Sequence, residues 1–308
     1  MNPLISVIVV NYNGLKYLGP CLTALVTQSY KFREIILVDN GSSDGSAEYV
    51  RKNFPQIFVI ESETNQGFAG GTNAGIRLTK GEFILTLNND TIPDHRFIEN
   101  ISIPMIGDPL VGMCASRMIF PDGSINSTGL CISRSGAIWD RGFSEQDSLQ
   151  YEGKLDVFGP CGGAALYRRS MLDEIGLFDE DFFLYAEDAD LAFRARWAGW
   201  ICRYVPSAIV THLQGGTAGI ESDISVYYIN RNQPWCVIKN FPVFTLLTSF
   251  PWIAGKNCAD LIGYILKGKG GVIIRAKIDC LKGIGKMWRK REDSRHSVAP
   301  HQIGKWIL

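Results

Sequence analysis

A surplus of charge of one sign, paired cysteines and long apolar runs are all missing from this 308-residue chain. Lys and Arg number 31 and Asp and Glu also 31, so no overall field favours nucleic acid, and none is expected as a partner. The eight cysteines, at positions 21, 114, 131, 161, 202, 236, 258 and 280, form no Cys-x-x-Cys pair. Neither a zinc site nor a disulfide framework is expected, and a reducing cytoplasm suits the chain. Near the C-terminus, Phe241 to Ala254 has no charge for 14 residues but contains Pro242 and Pro251. A spanning helix needs about 20 apolar residues, and extension to Leu266 admits Lys256 and Asp260. Leu4 to Val10 is apolar with no basic residue before it, too short for a signal peptide, and reads as a buried strand.

What is present is a large core and an uneven charge distribution. Hydrophobic residues make up 46% of the chain, enough for a sizeable interior and too many for disorder. Lys267 to Arg295 carries 10 basic and 3 acidic residues, net +7, against net −7 for the remainder. An acidic globular body with a basic tail follows.

The first hundred residues alternate strand and helix. Ile5 to Val10 is β-branched and stops at Asn11-Tyr12-Asn13-Gly14, a turn signal. Leu15, Leu18, Leu22, Leu25 and Val26 recur at helical spacing. Strands are expected at 35–38, 57–60 and 83–87, with helices at 47–53 and 70–79 between them. The alternation predicts an α/β fold with a parallel sheet and right-handed crossovers. Further on, a hairpin is expected from residues 111–120 and 125–133, a polar loop over 134–155, and a helix over 168–175. The character changes after Arg231, so residues 1–232 are expected as the globular domain. Residues 233–308 are expected as a helical, basic extension: a pair of amphipathic helices lying in a membrane interface, or a helical hairpin packed on the body.

Polar clusters stand at four expected strand ends: Asn11-Tyr12-Asn13-Gly14, Asp39-Asn40-Gly41-Ser42, Asn88-Asn89-Asp90 and Thr211-His212. In an open α/β sheet ligands bind outside the carboxyl ends of the strands, and these residue types suit a nucleoside diphosphate. Asp39 can accept from a pyrimidine N3–H, Tyr12 offers a ring edge to the base, and Asn88 can reach a ribose hydroxyl. Gly67, Gly70 and Gly71 allow close backbone approach to phosphates at a helix start. Asp90 is a hard oxygen ligand that His212 could join to hold Mg2+ or Mn2+ between two phosphates, with the small residues Gln214-Gly215-Gly216-Thr217 following. Farther along, Glu187, Asp188 and Asp190 put three carboxylates within four residues at the expected start of a helix. There the dipole and free N–H groups favour ionised acids, as helix caps or as a general base.

Taken in order, these motifs resemble family 2 glycosyltransferases of the GT-A fold, particularly bacterial rhamnosyltransferases. The resemblance covers roughly residues 4–232 and also includes Asn65-Gln66-Gly67-Phe68-Ala69-Gly70-Gly71-Thr72-Asn73 and Glu187-Asp188-Ala189-Asp190-Leu191. It implies a Rossmann-like, mostly parallel sheet flanked by helices. It also implies that Asn88-Asn89-Asp90 stands where the family carries Asp-x-Asp, with Asn88 replacing the first carboxylate. Asp188 is then the catalytic base of an inverting transfer, and Asp90 and His212 the ligands of Mg2+ or Mn2+. Asn11, Tyr12, Asp39, Gly70, Gly71, Asn88, Asn89 and Arg231 would bind the nucleotide-sugar, Arg231 as a diphosphate clamp. Glu187 and Asp190 would support Asp188, with Asp190 capping the helix or pairing with Arg194. Residues 158–163, Trp139 and Trp197 would shape the acceptor pocket. The implied reaction moves L-rhamnose from dTDP-rhamnose to a polyprenyl-diphosphate-linked glycan in cell-surface polysaccharide synthesis, on the inner face of the cell membrane. A UDP-hexose donor, or a non-catalytic glycan-binding scaffold, is the alternative. A sugar nucleotidyltransferase would carry a Gly-rich loop with Arg and Lys after the first strand, where Asn11 to Gly14 stands instead.

Overall fold

The computed structural model describes residues 2–213, 222–292 and 297–308. In chain order the elements begin β1 (Ile5–Asn11), α1 (Leu15–Val26), β2 (Arg33–Asp39), α2 (Ser46–Asn53), β3 (Phe58–Glu61), α3 (Gly67–Leu78) and β4 (Phe83–Asn88). They continue with β5 (Thr91–Pro93), α4 (Phe97–Gly107), β6 (Val111–Ile119), β7 (Ile125–Ser127), β8 (Leu130–Ile132), β9 (Ile138–Asp140), β10 (Ala164–Arg168) and α5 (Arg169–Ile175). After a 3-10 turn at Glu180–Phe182 come α6 (Glu187–Trp197), β11 (Ile201–His212), α7 (Asp223–Asn240), α8 (Val243–Leu266), α9 (Gly270–Glu292) and α10 (Pro300–Gly304).

Nine strands form one sheet in the order β3-β2-β1-β4-β10-β6-β11-β5, with β7 beside β6. β1 to β4 pair in parallel, β10 runs antiparallel between β4 and β6, and β11 is parallel to β6. The β1 sequence explains its central place. Ile5, Val7 and Val9 point into the core layer shared with Leu18, Leu22 and Ile98, while Ile8 points into the other layer with Ile76 and Ala69. A strand apolar on both faces must be covered on both. Gly75 and Gly71 let α3 lie close, since a Cβ at 71 would stand 2.8 Å from the Val10 side chain.

Three expectations change, for the start of α3, for the hairpin and for the domain boundary. The first helix-forming glycine is Gly67 (φ +71°), so α3 starts three residues earlier than expected. The expected hairpin is shorter: only the three-residue β7 pairs with β6, and the rest of the expected second strand becomes β8, which pairs instead with β9 inside what read as a polar loop. The boundary at 232/233 falls within α7, which packs against both α6 and α9. The C-terminus also closes onto the body, where the Leu308 N–H donates to the Ile132 carbonyl at 2.8 Å. Element α8 is one continuous 24-residue helix that includes Pro251. No described helix is long and apolar enough to cross a membrane.

Candidate active site

The parallel registers bring the polar strand ends to one level: Asn11 lies beside Asp39, and Val10 beside Asn88. They border a cleft of about 680 Å³ lined by Tyr12, Asn40, Asn88 and Asn89 on this rim and by Glu187, Asp188 and His212 farther along. Asn11 and Asp39 themselves lie behind the rim. Asn11 is fully buried; its Nδ2 donates to Asp39 Oδ1 at 3.1 Å, and its Oδ1 accepts from Asn89 Nδ2 at 2.7 Å. Ser42 donates to the same Asp39 oxygen. These residues hold the rim in shape. Asn40 is equally buried, its amide donating to Asn65 Oδ1 and the Gly67 carbonyl, so Tyr12 and Asn65 are the more open groups of this wall. Asn40 and Asn65 both lie in motifs named above, where each alone reads as a turn residue and carries no assigned role.

Asp90 and His212 do meet. Strand β5 runs antiparallel to β11 with Thr91 opposite His212, which carries Asp90 to the imidazole. Asp90 is buried, and its Oδ1 lies 3.2 Å from His212 Nε2. The Asn126 Oδ1 acceptor stands 2.9 Å from His212 Nδ1, so that nitrogen carries the proton and Nε2 turns its lone pair toward the carboxylate. Two lone pairs facing at this distance call for a cation or a proton between them. Among the described residues no third His, Cys, Asp or Glu joins the pair. A divalent ion here would therefore complete its shell with phosphate oxygens and water, as Mg2+ commonly does. The residues fit such an ion. Gln214 to Thr217 lie outside the described residues.

The acidic cluster is not a helix cap. The N-cap of α6 is Ala186, and no side chain bonds there. Three non-glycine residues just before the helix have positive φ: Phe183 at 65°, Tyr185 at 68° and Ala186 at 67°. Such backbone costs roughly 1–3 kcal/mol per residue and persists only where surroundings impose it. Here α7 imposes it. The Asn232 amide lies 2.8 Å from the carbonyls of Phe182, Leu184 and Tyr185. Arg231 donates to the carbonyls of Asp181 and Phe182, at 2.8 and 2.9 Å, and packs on Tyr228 and Trp235. The diphosphate-clamp expectation for Arg231 is thereby corrected: its guanidinium braces the strained turn and does not line the cleft.

Asp188 is aimed by that turn. Its Oδ2 accepts from the Gly162 N–H at 3.0 Å and its Oδ1 from the Ala189 N–H at 2.7 Å. The approach is close at Gly162, where a Cβ would stand 3.2 Å from the Phe68 ring and 3.4 Å from Asp188 Cβ. Burial raises the Asp188 carboxyl above its ordinary range, and the two N–H donors oppose the rise. Glu187 goes much higher, through burial and then the charge of Asp188, and among the described residues its Oε2 has no partner. Burial thus works against the expected ionisation of both acids, and more strongly for Glu187 than for Asp188.

Asp190 and Arg194 lie behind the cleft. Asp190 is fully buried and bonded to Arg194 (2.9 Å), Lys239 (2.8 Å) and Asn240 (2.9 Å). Burial raises its carboxyl, but Lys239 and Arg194 overcome this and hold it well below the usual carboxylate range. Pairing with Arg194 is as expected; the partners from α7 are not visible in the local sequence. Gly70 and Gly71 are buried in the body of α3 and do not line the cleft, so their role is packing. Trp197 is buried, its indole donating to the Asn240 carbonyl at 2.9 Å, whereas Trp139 does line the cleft. Asp140 also lines it and carried no recognisable motif.

Solved structures share this architecture. A GalNAc-T7 complex with UDP, GalNAc and Mn2+ aligns with a TM-score of 0.63 at 16% identity, over 77% of this chain and 48% of that one. A mannosyltransferase from Pyrobaculum calidifontis, in complex with GDP-Man and Mn2+, aligns with a TM-score of 0.55 at 16% identity, over 91% and 88%. The fold is GT-A, a mixed, mostly parallel sheet flanked by helices. Residues 6–176 match Glycosyl transferase family 2, and the chain belongs to that family and is a glycosyltransferase. The N-acetylglucosaminyl-diphospho-decaprenol L-rhamnosyltransferase of Mycobacterium tuberculosis is 27% identical over 244 residues, covering 71% of this chain and 79% of the relative. Glycosyltransferase GlyG of Streptococcus pneumoniae is 39% identical over 104 residues, 33% of this chain and 35% of that protein.

Proposed function

We propose that this glycosyltransferase moves L-rhamnose from dTDP-rhamnose to a polyprenyl-diphosphate-linked glycan during cell-surface polysaccharide assembly. The observation that carries the reading is that Asp188 lines the same cleft as the Asp90–His212 pair. The sugar and acceptor class are taken from the mycobacterial relative, whose name specifies both.

In the reaction Asp188 takes the proton of an acceptor hydroxyl as that oxygen attacks the anomeric carbon. The bond from that carbon to the diphosphate breaks on the opposite face, and its electron pair leaves with the nucleoside diphosphate. The result is inversion. Asp90 and His212 would hold Mg2+ or Mn2+, which would offset charge on the departing diphosphate. Tyr12, Asn65, Asn88 and Asn89 position the nucleotide, and the wall of the cleft keeps the two reactants in line.

The same reading places the chain on the inner face of a membrane. Along α8, Phe244, Leu247, Trp252 and Leu266 are exposed, the last by 82%. The only charged residues of this helix, Lys256 and Asp260, pair with each other at 2.6 Å. Their pairing leaves this helix, roughly 36 Å long, with no net charge. Tyr264 of the same helix lines the cleft, so a lipid-borne acceptor would arrive beside the base.

Thermal-shift titration with dTDP-rhamnose, UDP-sugars and GDP-sugars, each with Mn2+, tests the donor. Stabilisation by dTDP-rhamnose alone is the expected result. A response confined to UDP-sugars, for which the likeness to a UDP-bound structure gives some support, would replace rhamnose as the donor sugar.

A further inference from the structure

Asp140, at the end of the β8–β9 ribbon, lines the cleft and has no part in the mechanism above. The ribbon is a wall separate from the strand-end rim, and α7 braces it through the Gln233 amide, which donates to the Ile138 carbonyl at 3.1 Å. The Ser127 hydroxyl and the Cys161 thiol stand beside the Asp140 carboxyl. Its Oδ1, however, is buried and has no partner among the described residues. A buried acceptor left unmatched is costly, and a ligand donor placed there recovers that cost. Asp140 lines the same cleft as Asp188, Asp90 and His212, and the charges of Asp188 and His212 both act on it.

We propose that Asp140 orients the acceptor: it takes one hydroxyl of the acceptor sugar and thereby presents a neighbouring hydroxyl to Asp188. The ligand class is a sugar with vicinal hydroxyls, and the inference rests on the transferase reading of the cleft. Burial, only partly countered by the Ser127 hydroxyl, lifts the carboxyl to about 6. A group that resists ionisation suits a neutral hydroxyl better than a cation. Exposed Trp139, on the same ribbon, adds apolar surface to the cleft for a sugar ring.

The test compares full-length wild type with Asp140→Asn and Asp140→Ala. Radiolabelled dTDP-rhamnose or UDP-sugar is the donor. The acceptors are a synthetic short-chain N-acetylglucosaminyl-diphospho-prenol and a lipid extract from producing cells. The expected result is an acceptor KM raised about tenfold in Asp140→Ala and less in Asp140→Asn, with kcat at saturation within about threefold. The Kd for dTDP or UDP stays within about twofold, which a misfolded cleft would not allow. An acceptor lacking the matched hydroxyl should lose affinity for wild type and not for Asp140→Ala. Unchanged acceptor KM, or nucleotide affinity lost in parallel, overturns the role of Asp140 alone. A wild type that binds nucleotide yet transfers to neither acceptor overturns the acceptor reading, and this proposal with it.

Discussion

Asp188 and Glu187 are adjacent carboxyls in one cleft, yet their surroundings divide their roles. Two N–H donors stabilise ionised Asp188, while Glu187 Oε2 has no partner among the described residues. Asp188→Asn should lower kcat by about 100- to 10,000-fold and leave nucleoside diphosphate affinity nearly intact, measured by donor turnover and titration calorimetry. Because burial raises the Asp188 carboxyl, its base form is lost at a higher pH than for an exposed aspartate. The acid limb of kcat/KM should lie above about pH 4 in wild type. Asp140 gives a stability signature with a defined sign. Its folded value of about 6 exceeds the ordinary value, so its contribution is fully present below about pH 4 and is lost as pH rises through 6. Asp140→Asn should therefore gain Tm over wild type at pH 8 relative to their difference at pH 4, by differential scanning calorimetry.

The strained turn at 183–186 is an element that another element holds in place. Asn232 reaches three of its carbonyls, and Phe183 stacks on Tyr228 with ring centroids 4.9 Å apart. Asn232→Ala would leave these carbonyls short of a donor. A loss of roughly 2–4 kcal/mol in urea unfolding is expected, with kcat falling more than donor affinity as Asp188 loses its aim. The Asp190 network with Lys239, Arg194 and Asn240 anchors the following helix turn from the same side. Its depressed carboxyl contributes stability that is full above about pH 4 and is lost only as pH falls toward the lower folded value. The orientation of Asp188 and the anchoring of its helix thus both come from α7.

Across the whole molecule, the C-terminal helices form part of the folded body. Ile273, Ala276, Cys280 and Met287 of α9 are buried, and deletion of residues 241–308 would strip them from α7. The membrane role is better tested in the full chain, with Leu247→Glu and Phe250→Glu together. Flotation with vesicles containing anionic lipid should fall several-fold while nucleotide-induced thermal shift is kept, because both side chains face outward. Unchanged flotation would show that α8 is not the docking surface.

Strand–helix alternation, the polar strand ends and the acidic motif were legible in the sequence because each is a local pattern of residue types. Those patterns determined the α/β sheet, the family and the choice of Asp90, Asp188 and His212. What only the tertiary structure decided is which polar residue faces the cleft. Asn11 and Asp39 belong to the strand-end motifs, yet their mutual hydrogen bonds turn them inward. Arg231 has the chemistry of a phosphate clamp, but the nearby carbonyls of a strained turn take its donors first. Asp140 carries no motif and becomes visible only where the ribbon folds into the cleft that Asp188 also lines. Residue type sets what a side chain can bind, and long-range contacts set which partner it meets.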